Sequence, residues 1–279
     1  MLQEFLSNVD LGTFIFLGIA CFIAAFIDAV AGGGGLITVP AYLASGIPAH
    51  VALGTNKISS SIGTIASSLK FATSGKVNWE LSKKIIPFSF IGALLGVKTV
   101  VLIDSKYLYP IAIVLLLVVL IYTMINKKMG EENDFIGLND SNINAGRTMG
   151  AVMGFYDGFF GPGTGSFLIF ALIKIFKLDF TNASGNAKIL NLTSNLASMF
   201  LFIFLGKVNF FYSVPIGIIM IFGATLGAKT AVTKGTKFIK PMFLIVTSIV
   251  LVKMIAESIF GIDVGGLIKE FFLTILWVK

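Results

Sequence analysis

Thiol and imidazole are nearly missing from this chain, whose 279 residues hold one cysteine, Cys21, and one histidine, His50. A lone cysteine excludes an internal disulfide and a thiolate metal cluster. A lone histidine, which falls in a connecting loop on this reading, leaves no zinc set and no Ser-His-Asp arrangement of the usual kind. Charge is scarce too. Only 13% of residues are charged, against about 25% in soluble domains. No Gly-rich stretch ends in the Lys-Ser/Thr pair of a phosphate loop, so nucleotide binding has no support. Residues 1–12 carry Glu4 and Asp10 and no basic cluster, which does not fit a cleaved leader. Nothing in this inventory calls for a cofactor or a metal.

What fills the space is apolar. Hydrophobic residues make up 56% of the chain, and the mean hydropathy is +0.93. Uncharged or nearly uncharged runs such as Tyr107 to Asn126 and Val208 to Ala228 match the ~20 residues that cross a ~30 Å hydrocarbon core. The composition therefore predicts an all-α, multi-pass membrane protein. Its net charge of +7 then reflects lysines in cytoplasmic loops, with a lipid bilayer and not a nucleic acid as the partner. The expected location is the cell membrane, as in a bacterial inner membrane.

The chain also repeats itself. Gly75-Lys76-Val77-Asn78 recurs as Gly206-Lys207-Val208-Asn209, 131 positions on, and Gly92 to Val100 (GALLGVKTV) matches Gly223 to Ala231 (GATLGAKTA) at the same offset. Pro110 pairs with Pro241, and Lys57 in GTNK with Lys188 in GNAK. Upstream, FIDAVAG from Phe26 matches FYDGFFG from Phe155 at an offset of 129, so two residues are inserted in the second glycine run. Matches in one order across a whole chain mark a duplication. Each copy reads as five elements: 12–31, 35–47, 49–74, 82–103 and 107–126, then 147–161, 164–177, 180–205, 210–232 and 239–260. The organisation is a first repeat over 1–126, a polar cytoplasmic linker over 127–146, a second repeat over 147–260 and an apolar tail over 261–279. Basic loops alternate oppositely in the two copies: Lys76, Lys83 and Lys84 follow the third element of the first, whereas Lys234, Lys237 and Lys240 follow the fourth element of the second. Because Lys-rich loops stay cytoplasmic, the copies are expected to be inverted relative to each other, as in secondary transporters.

The second element of each copy is short and follows glycines, AGGGGLITVP in one and FFGPGTGSFL in the other. Helices do not propagate through such runs, and non-helical backbone at membrane depth survives where it is buried or lines a wet cavity. The short elements are therefore expected to be broken or re-entrant helices that aim free N–H groups at a bound anion. The candidates at these breaks are Gly33, Gly34 and Gly35, with Gly163, Thr164 and Gly165. The third elements add Asn56, Lys57 and Ser60, and Asn186, Lys188, Asn191 and Asn195. A charge in mid-membrane costs ~2.5–3.5 kcal/mol on insertion scales, so such residues line pathways or pair internally. Asp28 and Asp157, one turn before the glycine runs, suit proton coupling, a structural tie or a pairing with the lysines.

In DAVAGGGGLITVP with ALGTNK, and DGFFGPGTGSFL with GNAK, the chain resembles the TauE/SafE family of sulfite-exporter permeases over nearly its whole length. The resemblance implies transport of a sulfur-containing anion such as sulfite, thiosulfate or an organosulfonate. The residues themselves favour a secondary permease for a small anion, working by alternating access. The rival reading is a cation channel or transporter using Asp28 and Asp157 as ligands. A membrane enzyme lacks a catalytic constellation.

Overall fold

The computed structural model describes residues 11–102, 117, 121, 130–260, 267 and 274. Among them it is all helical: α1 (Leu11–Ala31), α2 (Gly35–Ala44), α3 (Ala49–Thr73), α4 (Trp79–Val100), α5 (Asp140–Phe159), α6 (Thr164–Phe176), α7 (Phe180–Phe204), α8 (Phe210–Lys234) and α9 (Thr236–Phe260). Helices α1, α7 and α8 are long and apolar enough to cross a membrane, and α2 and α6 are short apolar helices. Apart from residues 117, 121, 267 and 274, the expected element at 107–126 and the tail at 261–279 lie outside the described residues.

Two expectations shift at helix starts. Helix α5 begins at Asp140 and not near residue 147, because Asn139 and Asn142 form a reciprocal capping box that satisfies its first turn. Part of the expected linker is thus helix. His50 lies in the first turn of α3 and not in a loop, with its Nε2 3.2 Å from the Val100 carbonyl at the end of α4.

The expected repeat units do not fold apart. Helix α1 packs on α8, and α5 packs on α4, so each half lends its first helix to the fourth helix of the other. Glycines make both contacts close. A Cβ on Gly223 or Gly227 would sit 2.3 Å from the carbonyl oxygens of Phe22 and Phe26. At the matching positions, a Cβ on Gly92 or Gly96 would sit 2.2 and 2.1 Å from the carbonyl oxygens of Ala151 and Phe155. Small residues at four-residue spacing let backbones touch where hydrophobic burial gives no drive between helices in lipid.

Other contacts are reciprocal as well. The Asn209 N–H donates to Thr55 Oγ1 at 2.9 Å, and the Asn78 N–H donates to Asn186 Oδ1 at 3.0 Å. Gly54 lies against the Lys207 carbonyl and Gly185 against that of Lys76. Helices α3 and α7 run antiparallel past each other: Lys57, early in α3, meets Asn195, late in α7, and Ser68, late in α3, donates to the carbonyl of Lys188, early in α7. The outward faces are apolar, with Val214, Ile218, Phe222 and Leu226 exposed in one stripe of α8. Such a stripe is stable against lipid and not against water.

Candidate functional site

The two glycine runs touch. Gly32 has φ of +78°, and a Cβ there would meet the Gly165 backbone at 2.3 Å. The end of α1 has carbonyls with no partner in its own helix, and the start of α6 supplies donors: Ser166 N–H to Gly32 O at 3.0 Å and Ser166 Oγ to Ala31 O at 2.9 Å. This crossing consumes first-turn donors of α6. The two short helices therefore differ, although the repeat predicts that both present their N-termini to one site.

Beside the crossing lies a cavity of about 30 Å³, above the about 10–15 Å³ that one water needs. Its wall includes Gly34, Gly35 and Thr38 of the α2 region, Asn56, Lys57 and Ser60 of α3, Gly165 of α6, and Asn191 and Asn195 of α7. Asp28, Asp157 and Thr64 also reach it. Residues from the second and third elements of both copies thus line one cavity.

Five candidates stand outside the wall. Gly33 accepts the Leu36 N–H as part of the turn into α2. Gly163 is the left-handed N-cap of α6, with φ of +86°, and Thr164 closes the same turn through its hydroxyl to the Gly161 carbonyl at 2.7 Å. Asn186 holds the start of α4 through the Asn78 N–H and the Ser82 hydroxyl, both at 3.0 Å. Lys188 is fully buried behind Asp28. Asn186→Ala is therefore expected to cost about 1–3 kcal/mol of stability and to leave solute affinity within about twofold; thermal unfolding in detergent and an uptake KM measure the two separately.

Each lysine crosses to the other half. Lys57 Nζ lies 2.9 Å from Asp157 Oδ1 and 3.1 Å from Asn195 Oδ1. Lys188 Nζ lies 2.5 Å from Asp28 Oδ2. The positions are related by the repeat, so the protein closes two equivalent ion pairs between its halves. Their surroundings are not equivalent. Asp157 takes a further hydrogen bond from Ser194 Oγ at 2.6 Å and is 3% exposed. The position matching Ser194 is Gly63, which packs on Met220. Asp28 instead accepts the Gly34 N–H at 3.2 Å and is 19% exposed.

Thr38 is a wall residue with no signal in the sequence pattern. It is 1% exposed, and its hydroxyl has no hydrogen-bond partner. A buried polar group without a partner costs about 1–3 kcal/mol, so a hydroxyl left unpaired in a cavity wall suits a ligand or water.

The family model described as sulfite exporter TauE/SafE matches residues 17–254. The chain belongs to the TauE/SafE family. It is 38% identical over 256 residues to a probable membrane transporter protein of Haemophilus influenzae, covering 90% of this chain and 98% of that one. It is 34% identical over 250 residues to the probable membrane transporter protein YfcA of Escherichia coli K12, covering 88% and 91%. A probable membrane transporter protein of Sinorhizobium is 34% identical over 242 residues, covering 87% and 92%. No solved structure matches the chain. This TauE/SafE protein is a membrane transporter, and its crossed ion pairs sit where its two halves meet.

Proposed function

We propose that the cavity binds a small anion, of the sulfur oxyanion class (sulfite, thiosulfate or a small organosulfonate), and that the halves move about it in alternating access. The observation that carries this reading is the wall beside α2. There the helix start at Gly34 and Gly35 and the unpartnered Thr38 hydroxyl lie along one cavity with the Lys57 ammonium. Helix starts and donor hydroxyls stabilise negative charge. Both carboxylates in the wall already face ammonium groups, which disfavours a cation there. The family's name supports the sulfur class. Antiparallel α3 and α7 and the reciprocal contacts support inverted halves, and the bacterial relatives favour an inner membrane.

The test is uptake of labelled sulfite, thiosulfate and methanesulfonate into proteoliposomes. At least one is expected to enter, and Thr38→Val is expected to raise its KM by about tenfold or more, the worth of one hydrogen bond to a charged group. Uptake of none, or a potassium conductance lost on replacing Asp28 and Asp157, would favour the cation reading.

A further inference from the structure

Among the described residues, the charges in the cavity wall and directly behind it sum to zero: Lys57 against Asp157, and Lys188, behind the wall, against Asp28. An anion entering this enclosure alone would bring one negative charge where, among the described residues, each lysine is already paired, and an uncompensated charge in a low-dielectric interior is strongly disfavoured. Something must enter with it or leave. A sodium ion is disfavoured there, since both carboxylates at the cavity already face ammonium groups. A proton needs only a carboxylate that water can reach.

The two carboxylates differ in this respect. Asp157 is 3% exposed and held by Lys57 and the Ser194 hydroxyl. Asp28 is 19% exposed, lines the cavity, and is held by Lys188 and the Gly34 N–H at the first turn of α2. Its carboxylate thus occupies a place built for an anion: an ammonium on one side and a helix start on the other. The other charged groups facing it are Lys57 and Asp157 across the cavity. Among the described residues, Thr38 comes from α2, Met220 and Ala224 from α8, and Gly165 from α6.

We infer that this transporter is a proton–anion symporter in which Asp28, the exposed member of the crossed ion pairs, carries the proton. The inference rests on the anion reading above. Asp28 Oδ takes a proton from cavity water and becomes a neutral acid. The anion then takes over the Gly34 N–H and the field of Lys188, and the load of one proton and one monovalent anion is electroneutral. On the far side the anion leaves, the proton returns to water, and the ionised Asp28 closes again on Lys188.

The experiment uses methanesulfonate and thiosulfate in proteoliposomes with the membrane potential clamped. Sulfite is set aside here because it takes up protons itself. Wild type is expected to accumulate methanesulfonate by up to about tenfold per unit of inward pH gradient. In Asp28→Asn, gradient-driven accumulation is expected to vanish while exchange of labelled for unlabelled anion remains detectable. The double variant Asp28→Asn/Lys188→Gln, which leaves no unpaired buried charge and so covers misfolding of the single one, is expected to lose gradient-driven accumulation as well, with exchange weakened by loss of the Lys188 charge. Accumulation indifferent to the gradient in wild type, or still driven by it in the double variant, overturns the proton assignment and leaves the anion reading standing. Failure of wild type to move either probe, or sulfite, overturns the anion reading, and the coupling with it.

Discussion

Asp157→Ala is expected to destabilise the protein by about 3–5 kcal/mol, the cost of stranding one member of a buried ion pair. The reason is the completeness of its setting. Lys57 and Asp157 are each 3% exposed, Lys57 also reaches Asn195, and Asp157 also holds Ser194. With the carboxylate gone, the ammonium stays beside the Gly161 backbone with one neutral acceptor. Removing both charges by Lys57→Met/Asp157→Leu is expected to recover most of the loss, because an apolar pair of similar volume is often as stable as a buried ion pair. Transport should not recover, since a cavity-wall cation is missing. Unfolding in detergent by heat, read beside anion uptake, separates the two effects. A single Asp157→Ala with unchanged stability would show that the pair contributes nothing to joining the halves.

The second large effect is expected at the crossing of the broken helices. Gly32→Ala places a Cβ 2.3 Å from the Gly165 carbonyl carbon, at a φ of +78°. Left-handed strain on a non-glycine residue is of order 1–3 kcal/mol. Overpacking against another backbone adds about 1–3 kcal/mol, with no flexible side chain to yield. The hydrogen bonds from Ser166 to Ala31 and Gly32 would part as well. Loss of folded protein is the expected result, read as yield after detergent extraction and size exclusion. Gly206→Ala is the control: φ is +65° and nothing lies within 4 Å, so only the strain remains. Equal behaviour of the two variants would contradict the close crossing.

Much of the fold and the site is legible in the amino-acid sequence, and the reasons are local. A helix must stop at AGGGG and FGPGTG, which places the two short helices to within a few residues. The duplication relates Lys57 to Lys188 and Asp28 to Asp157, and all four residues lie at the crossing. Periodicity cannot say which carboxylate faces which lysine, because each partner comes from the other half and its distance in sequence is set by the fold. Asn186 shows the same limit: its polar neighbours on α7 suggest a shared site, but Asn78 and Ser82 of α4 claim it. Thr38 is hidden for the opposite reason. It sits in an apolar run, GLITVP, where one hydroxyl reads as helix filler, and only its burial without a partner singles it out. The start of α5 has a sequence signal, since Asn139 followed by Asn142 is a cap pattern, but a run of Asn, Asp and Ser reads equally as linker. The asymmetry between the two aspartates follows from single differences in the copies, Gly63 against Ser194 above all, which equal spacing conceals.

The most direct measurement is the reach of a cysteine in the cavity wall. With Cys21→Ser removing the sole native thiol, Ser60→Cys puts a reporter in that wall. Membrane-impermeant thiol reagents are then applied to right-side-out and inside-out vesicles, with and without thiosulfate. An alternating site between the halves predicts labelling from both faces, slowed by saturating thiosulfate. Labelling from neither face, or from one face alone with no protection by the anion, would contradict it.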